Sequence, residues 1–192
     1  MADESDNQAT ASGCEVATLA GGCFWCTEAG LASLDGVLSV TSGYTGGSAP
    51  DPDYHSVCSG ETGHAEAVRV VFDPQVLAYG DLLEVFFALH DPTTADRQGN
   101  DIGTQYRSVI FFHSRAQQAA AQALIQRLTQ EQAFATRIVT QVMPAPRFFA
   151  AEDYHQHYYS NNSSQSYCQY VIAPKLAKLR SKFAARLKPA AR

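Results

Sequence analysis

The chain has 192 residues, and 45% of them are hydrophobic, which suits one ordinary globular domain. Its formal net charge of −5 excludes a general attraction to nucleic acid or to anionic membranes. The acidic N-terminus lacks the basic and apolar regions of a signal peptide, and no apolar run reaches the roughly 20 residues of a membrane-spanning helix. We therefore expect a cytoplasmic protein with neither nucleic acid nor a membrane as a partner.

The cysteines are odd in number and spread along the chain: Cys14, Cys23, Cys26, Cys58 and Cys168. In a reducing compartment this usage favours reactive thiols over a disulfide scaffold.

The first predicted elements present a cysteine at a helix start. Residues 1–14 are polar and acidic, and they predict a disordered tail. A β-like run at 16–20 is followed by two glycines and by helix-like apolar spacing over 23–34. Cys23 would lie in the first helical turn, where unpaired N–H groups and the helix dipole should make its thiol easier to ionise than a free cysteine. The alternative is a small buried hydrophobic residue.

The next segments combine a long loop with a carboxyl group in a strand. A β-like stretch at 37–42 runs into residues 43–54, whose many Gly, Pro and Asp residues predict a functional loop. In the predicted strand 66–72, Glu66 shares a face with apolar side chains, which disfavours its charged form and suits a general acid. The alternative is that Glu66 merely caps the solvated start of the strand.

Two helices and two strands are predicted in the following part. Asp81 is the expected N-cap of a helix over 82–89. A polar loop leads to a strand over 106–112, and Ser114 with Gln117 predicts a capping box for a helix that ends near residue 130. Residues 138–142 predict a final core strand.

The C-terminal part mixes aromatic, flexible and basic segments. Residues 148–159 predict a short aromatic and acidic helix, and 161–166 a flexible linker. From residue 174 the pattern predicts an amphipathic helix, and seven of the fourteen Lys and Arg residues lie from Lys175 onward. A solvated basic face is the simplest interpretation of that charge.

This order of elements predicts one α/β (α+β) domain, a two-layer sandwich whose mixed sheet has a ferredoxin-like βαββαβ-type core. We expect a tail at 1–14, a catalytic domain at 15–159, and a segment at 160–192 that holds a flexible stretch and the basic helix.

Six motifs in register between about Thr18 and Cys168 resemble the type A peptide methionine sulfoxide reductases. They are Gly-Cys-Phe-Trp-Cys-Thr-Glu at 22–28, Gly-Tyr-Thr-Gly-Gly at 43–47, the run from Tyr54 to Glu66, His-Asp-Pro-Thr-Thr at 90–94, the run from Gln98 to Ser108, and Ala-Glu-Asp-Tyr-His-Gln at 151–156.

The resemblance implies an enzyme that reduces the S epimer of methionine sulfoxide, free or in proteins, in protein repair under oxidative stress. In that family the residue at Cys23 attacks the sulfoxide sulfur, and the one at Glu66 protonates the sulfoxide oxygen. The resemblance further implies that Tyr54 and Tyr106 hydrogen-bond the sulfoxide oxygen. It implies that Asp101 orders the pocket, and that the rings of Phe24 and Trp25 hold the methyl group. Tyr44, in the glycine-rich loop, is expected to reach a bound ligand as well.

The resemblance also implies a second half-reaction. The sulfenic acid left on Cys23 condenses with another thiol, and a thioredoxin-like donor, or dithiothreitol, reduces the disulfide. Cys168 is the expected resolving cysteine, with Cys26 of the Cys-x-x-Cys pair as the alternative. Cys26 stands where many relatives have glycine, and the usual glycine-rich tail with a further cysteine is missing. We expect a monomer with no bound cofactor and no metal.

Two other hypotheses stay open at this point. Cys23 and Cys26 could act as a thioredoxin-like dithiol on protein disulfides. A zinc-binding interaction module would combine His64 and His155 with the thiols, although their spacing does not repeat a zinc pattern.

Overall fold

The computed structural model describes residues 13–191. Most of the predicted N-terminal tail, residues 1–12, lies outside the described residues. The first elements are β1 (Glu15–Gly21), α1 (Phe24–Ala32) and β2 (Val37–Thr45).

The middle of the chain alternates helices with strands. Its elements are α2 (Tyr54–Cys58), β3 (Ala65–Phe72), α3 (Tyr79–Leu89), β4 (Arg97–Gln98) and β5 (Asp101–Ile102).

The last part adds two edge strands and the terminal helices. In order these are β6 (Ser108–Phe112), α4 (Arg115–Gln130), β7 (Gln141–Pro144), β8 (Phe149–Ala150), α5 (Tyr158–Asn161), a π-helix (Cys168–Ile172) and α6 (Ala173–Phe183).

The main sheet of the described residues has six strands in the order β7-β6-β1-β3-β2-β8. All neighbours are antiparallel except β6 and β7, which are parallel, so the sheet is mixed. The central order β6-β1-β3-β2, with α1 after β1 and α3 after β3, is the ferredoxin-like βαββαβ arrangement. The predicted fold class is confirmed.

The core lies between this sheet and the helices α1, α3 and α4. Strand β3 is buried along almost its whole length, because sheet neighbours flank it on both sides. Close packing of α1 on α3 depends on Gly30, since a Cβ there would overlap the side chain of Leu89. The core therefore holds α1, and with it Cys23, in a fixed position against β3.

Some predicted boundaries are wrong because tertiary hydrogen bonds override local pattern. Strand β2 continues through Thr45 into the predicted loop, since it pairs with β3 as far as Ala65. Helix α3 begins at Tyr79 with Ala78 as its N-cap, so Asp81 lies in its first turn. Tyr106 lies in a 3₁₀ turn, and β6 begins only at Ser108.

The predicted core strand at 138–142 is also displaced. Strand β7 begins at Gln141 and pairs in parallel with β6 at the sheet edge. Val139, which precedes it, is 38% exposed. An edge strand is paired on one side only, and Ile138 and Val142 pack against the core while they remain partly exposed.

No single helix forms over 148–159. Phe149 and Ala150 pair with the outer edge of β2, and the side chain of Gln156 bonds to both the N–H and the C=O of Ser42. A 3₁₀ turn (Asp153–His155) follows, and His157 is left-handed at φ 52°. These contacts hold the segment along β2 instead of allowing a continuous helix.

The described helices include none that is both long and apolar enough to cross a bilayer.

The predicted capping box at α4 is present only in part. Ser114 accepts the N–H of Gln117, but the Gln117 side chain turns to the sheet instead of to the backbone of Ser114. Its amide donates to the Val16 carbonyl at 2.8 Å and accepts from the His113 N–H at 3.0 Å, and the residue is 4% exposed. Gln117 thereby ties α4 to β1.

We expect Gln117→Ala to lower the free energy of unfolding by about 1–3 kcal/mol, because buried backbone groups lose their partners. Urea titration followed by circular dichroism measures the loss. Gln122→Ala, on the exposed face of the same helix, is the control and should change stability by under about 0.5 kcal/mol. Equal effects of the two substitutions would contradict the assigned role.

Candidate functional site

Cys23 lies where β1 turns into α1. Gly22 has φ +89°, a left-handed conformation that glycine adopts without strain. Cys23 is the N-cap of α1, and its carbonyl accepts the N–H groups of Cys26 and Thr27 at 3.1 and 3.4 Å. Its side chain is 8% exposed. The turn thus presents the thiol beside the first turn of α1, as expected from the sequence.

Glu66 is adjacent, on β3. Its Oε2 accepts the N–H of Phe24 at 3.0 Å, one of the donors that a helix start leaves without a partner. Burial raises the pKa of Glu66 to about 8, the Phe24 N–H opposes the rise, and the Asp101 carboxylate adds to it. The carboxyl group is therefore mostly protonated at pH 7 and has an O–H to donate.

A cavity of about 150 Å³ opens above these two groups. The structure brings together seven of the residues expected from the sequence, and adds one from the C-terminal segment. The lining residues are Cys23, Phe24, Trp25, Tyr54, Glu66, Asp101, Tyr106 and Tyr167. Burial raises the pKa of both Tyr54 and Tyr106, so each hydroxyl keeps its proton for donation.

Tyr44 is placed differently from the expectation. It does not line the cavity: it is fully buried, and its hydroxyl donates to Glu152 at 2.8 Å. The other oxygen of Glu152 accepts the N–H of Tyr54 at 2.9 Å. The ring of Tyr44 packs 5.8 Å from that of Phe24, so Tyr44 and Glu152 support the cavity from behind.

The wall formed by Trp25 is held by residues to which the sequence analysis gave no role at the pocket. Its indole stacks on Tyr158 with ring centroids 3.6 Å apart and an interplanar angle of 6°. The indole N–H donates to Nδ1 of His155 at 3.1 Å. Glu28, 2% exposed, accepts the N–H groups of His157 and Tyr158 at 2.7 and 3.3 Å. Residues 155–158 are far from α1 in the sequence, with a separation of 130 residues between Trp25 and His155, so local patterns do not reveal that they hold Trp25.

Tyr167 is the lining residue that sequence reasoning missed. Its hydroxyl donates to Asp101 at 3.0 Å and lies 3.9 Å from the Cys26 sulfur. Its ring meets that of Trp25 edge-on at 5.7 Å. The signal in the sequence that could have identified Tyr167 is its position directly before Cys168, the expected resolving cysteine.

Three thiols lie in one apolar cluster beside the cavity. Cys23, Cys26 and Cys168 pack there with Ile172 and Leu176. All five cysteines of the chain are free thiols in this structure. Cys23 is the N-cap of α1 and Cys26 is the third residue of that helix, so both thiols lie at its N-terminal end.

The acidities of this pair differ from the sequence expectation. Burial raises the pKa of the Cys23 thiol, and its interactions with Cys26 and with the Glu66 carboxyl raise it further. The pKa of Cys26 is lowered, above all by its interaction with Cys23. The position of Cys23 at a helix start is thus outweighed by desolvation.

Cys58 and a second recess lie outside the lining of the cavity. Cys58 is exposed, and it adds to the rise in the Tyr54 pKa that burial causes. A recess of about 290 Å³ between α1 and α6 is mostly apolar and has no cysteine in its lining. Within residues 13–191 no three His, Cys, Asp or Glu side chains are grouped as a metal site.

Known proteins resemble this chain over most of its length. A family model described as peptide methionine sulfoxide reductase matches residues 15–187. The peptide methionine sulfoxide reductase MsrA of Deinococcus radiodurans is 53% identical over 190 residues, which cover 98% of this chain and 92% of that protein.

Solved structures show the same similarity. Methionine sulfoxide reductase A of Corynebacterium diphtheriae superposes with a TM-score of 0.77 at 35% identity, covering 82% of this chain and 79% of that one. Mxr1 of Saccharomyces cerevisiae, in a complex with Trx2, has a TM-score of 0.55 at 26% identity, covering 77% and 86%. With a family model spanning most of its length and a relative more than half identical to it, this chain belongs to the peptide methionine sulfoxide reductase family, type A.

Proposed function

We propose that the enzyme reduces the S epimer of methionine sulfoxide, free or in proteins, at the cavity above Cys23. The observation that carries this proposal is the buried Glu66 carboxyl beside Cys23, whose pKa burial raises to about 8, in a cavity with two tyrosine hydroxyls and two aromatic rings. Reduction of a methyl sulfoxide requires a thiol nucleophile, a neutral acid that protonates the oxygen, and an apolar wall that contacts the methyl group.

In the first half-reaction Cys23 attacks the sulfoxide sulfur. The neighbouring Cys26 sulfur, whose pKa is lowered, is the acceptor that the site offers for the Cys23 proton. Glu66 gives its proton to the sulfoxide oxygen, with Tyr54 and Tyr106 donating hydrogen bonds to it. The oxygen passes to Cys23, the sulfoxide is reduced by two electrons to methionine, and Cys23 is left as the sulfenic acid.

The aromatic residues supply selectivity. Phe24 and Trp25 receive the methyl group, and the stacked ring of Tyr158 keeps the indole in place. Asp101, which accepts the hydroxyl of Tyr167, orders the opposite side of the cavity. The apolar wall and the hydroxyls that bind the oxygen are both fixed, on opposite sides of the cavity. One sulfoxide epimer therefore places its methyl group and its oxygen correctly, and the other does not.

For the second half-reaction we propose Cys26 as the first resolving thiol, which reverses the order expected from the sequence. The support is its place with Cys23 in the thiol cluster and its lowered pKa, whereas burial raises the pKa of Cys168. The resulting disulfide is a substrate for a thioredoxin-like dithiol. The complex of the relative Mxr1 with Trx2 supports this class of reductant.

Cys23→Ser should form no methionine from the S sulfoxide, even with excess dithiothreitol, because a serine hydroxyl is not a comparable nucleophile. Chromatographic measurement of methionine per enzyme tests this. Cys14→Ser is the control and should keep full activity. Methionine formation by Cys23→Ser at the wild-type rate would refute the nucleophile assignment.

Glu66→Gln should slow the first half-reaction by about 10²–10⁴-fold, since an amide has no proton to give. In the wild type the acid form of Glu66 is present below its pKa of about 8, so the single-turnover rate should lose this contribution as the pH rises through 8. The variant should lack that loss. Exposed Glu61→Gln is the control. If the protein instead acted as a thioredoxin-like dithiol on protein disulfides, Glu66→Gln would not change its rate.

Cys26→Ser should still form about one methionine per enzyme without reductant, but should form the disulfide at least about tenfold more slowly. Cys168→Ser should keep a Cys23–Cys26 disulfide. Mass spectrometry of peptides from the oxidised enzymes identifies the bond. A disulfide that forms at the wild-type rate in Cys26→Ser and is absent in Cys168→Ser would restore Cys168 as the resolving cysteine.

A further inference from the structure

A buried histidine lies behind three of the side chains that line the cavity. His155, which is 2% exposed, ends the 3₁₀ turn at 153–155. Its ring centroid is 4.5 Å from that of Tyr54, 5.2 Å from that of Phe24 and 5.5 Å from that of Trp25. His155 is not itself part of the cavity lining, so it acts on the site through these neighbours.

The hydrogen bond from the indole fixes the tautomer of the imidazole. An indole N–H can only donate, so Nδ1 of His155, which lies 3.1 Å from Nε1 of Trp25, is the acceptor. Burial lowers the pKa of His155, although the Glu152 carboxylate opposes the shift. The ring is therefore neutral at pH 7, and it carries its one proton on Nε2.

That Nε2–H group is buried and has no hydrogen-bond partner among residues 13–191. A buried polar group without a partner destabilises the folded state. A phenylalanine ring at position 155 would make similar contacts with Phe24 and Tyr54 and would avoid this cost. What histidine adds, and phenylalanine lacks, is the acceptor for the indole N–H at Nδ1.

Stacking alone does not fix the orientation of the indole. The contact with Tyr158, at 3.6 Å and 6°, sets the plane of the Trp25 ring, but parallel rings can still rotate and slide over each other. A hydrogen bond is directional, so the bond to His155 fixes the rotation of the indole within that plane. The acceptor is itself held, because the adjacent Gln156 side chain bonds to both backbone groups of Ser42.

We propose that His155 is a positioning residue that determines selectivity: its Nδ1 atom fixes the edge of the Trp25 indole that bounds the space for the sulfoxide methyl group. This inference rests on the proposed function, since it requires a methyl sulfoxide in the cavity. The hydrogen bond that joins Phe24 to Glu66 does not involve His155. Loss of the acceptor therefore widens the methyl site while the nucleophile and the acid stay in place.

The test compares the S epimers of methionine sulfoxide and of ethionine sulfoxide, its S-ethyl analogue, in single turnovers. One additional methylene in an apolar site changes a rate by about 10–200-fold, so the wild type should prefer the methyl substrate by a factor in this range. His155→Phe keeps a ring but has no acceptor. It should lose at least about tenfold of the preference, through a higher half-saturating concentration of methionine sulfoxide more than through a lower maximal rate.

His155→Asn separates the hydrogen bond from packing. Its side-chain oxygen can occupy the position of Nδ1 and accept the indole N–H, but it lacks the ring. This variant should keep most of the preference for the methyl substrate.

Tryptophan fluorescence gives a second measurement, because Trp25 is the only tryptophan of the chain. Acrylamide should quench this fluorescence more strongly in His155→Phe than in the wild type or in His155→Asn, since an indole without its acceptor is less firmly held. His55→Phe makes the same substitution at an exposed site next to Tyr54, and it is the control that should match the wild type in both measurements.

Three outcomes would overturn the inference. They are a wild type without a preference for the methyl substrate, a His155→Phe variant with wild-type preference and quenching, and a loss in His155→Asn at least as large as that in His155→Phe, which would assign His155 to packing alone. Urea titration checks folding, and His155→Leu replaces His155→Phe if the latter does not fold. Failure of the wild type to form methionine would instead refute the proposed function, so the two failures are distinguishable.

Discussion

The hydrogen bond from the Phe24 N–H to Glu66 is the contact on which the site depends. It joins the first turn of α1 to the buried strand β3, and it uses a backbone donor that the helix itself leaves free. One bond thereby sets the distance between nucleophile and acid. It also occupies one carboxyl oxygen, while burial keeps the group protonated and leaves the other oxygen to serve as the donor.

Rigid surroundings keep that contact in place. The sheet order puts β3 between β1 and β2, so the strand that bears Glu66 and the strand that leads to Cys23 are direct neighbours. Behind the cavity, Glu152 holds both the hydroxyl of Tyr44 and the backbone of Tyr54. The fold therefore supplies preorganisation, which lets hydrogen-bond donors act without rearranging during the reaction.

The C-terminal segment completes the site from the other side. Tyr167 lines the cavity, and Cys168 joins the thiol cluster, in which Ile172 and Leu176 also pack. A stretch of the chain that looked like a linker followed by a solvated helix thus contributes to the site. Its helical turns place a phenol and a thiol beside α1, close to the cavity.

The sequence by itself determined the fold class, the cysteine at the strand-to-helix turn and the carboxyl group on an apolar strand face. These follow from local patterns: a glycine turn, a period of two and the length of apolar runs. Only the tertiary structure decided that Tyr44 lies behind the cavity, that 148–159 follows the edge of β2, and that burial raises the pKa of Cys23. The first two depend on hydrogen-bond partners more than a hundred residues away in the sequence, and the third depends on desolvation. Local residue spacing predicts neither the distant partners nor the burial.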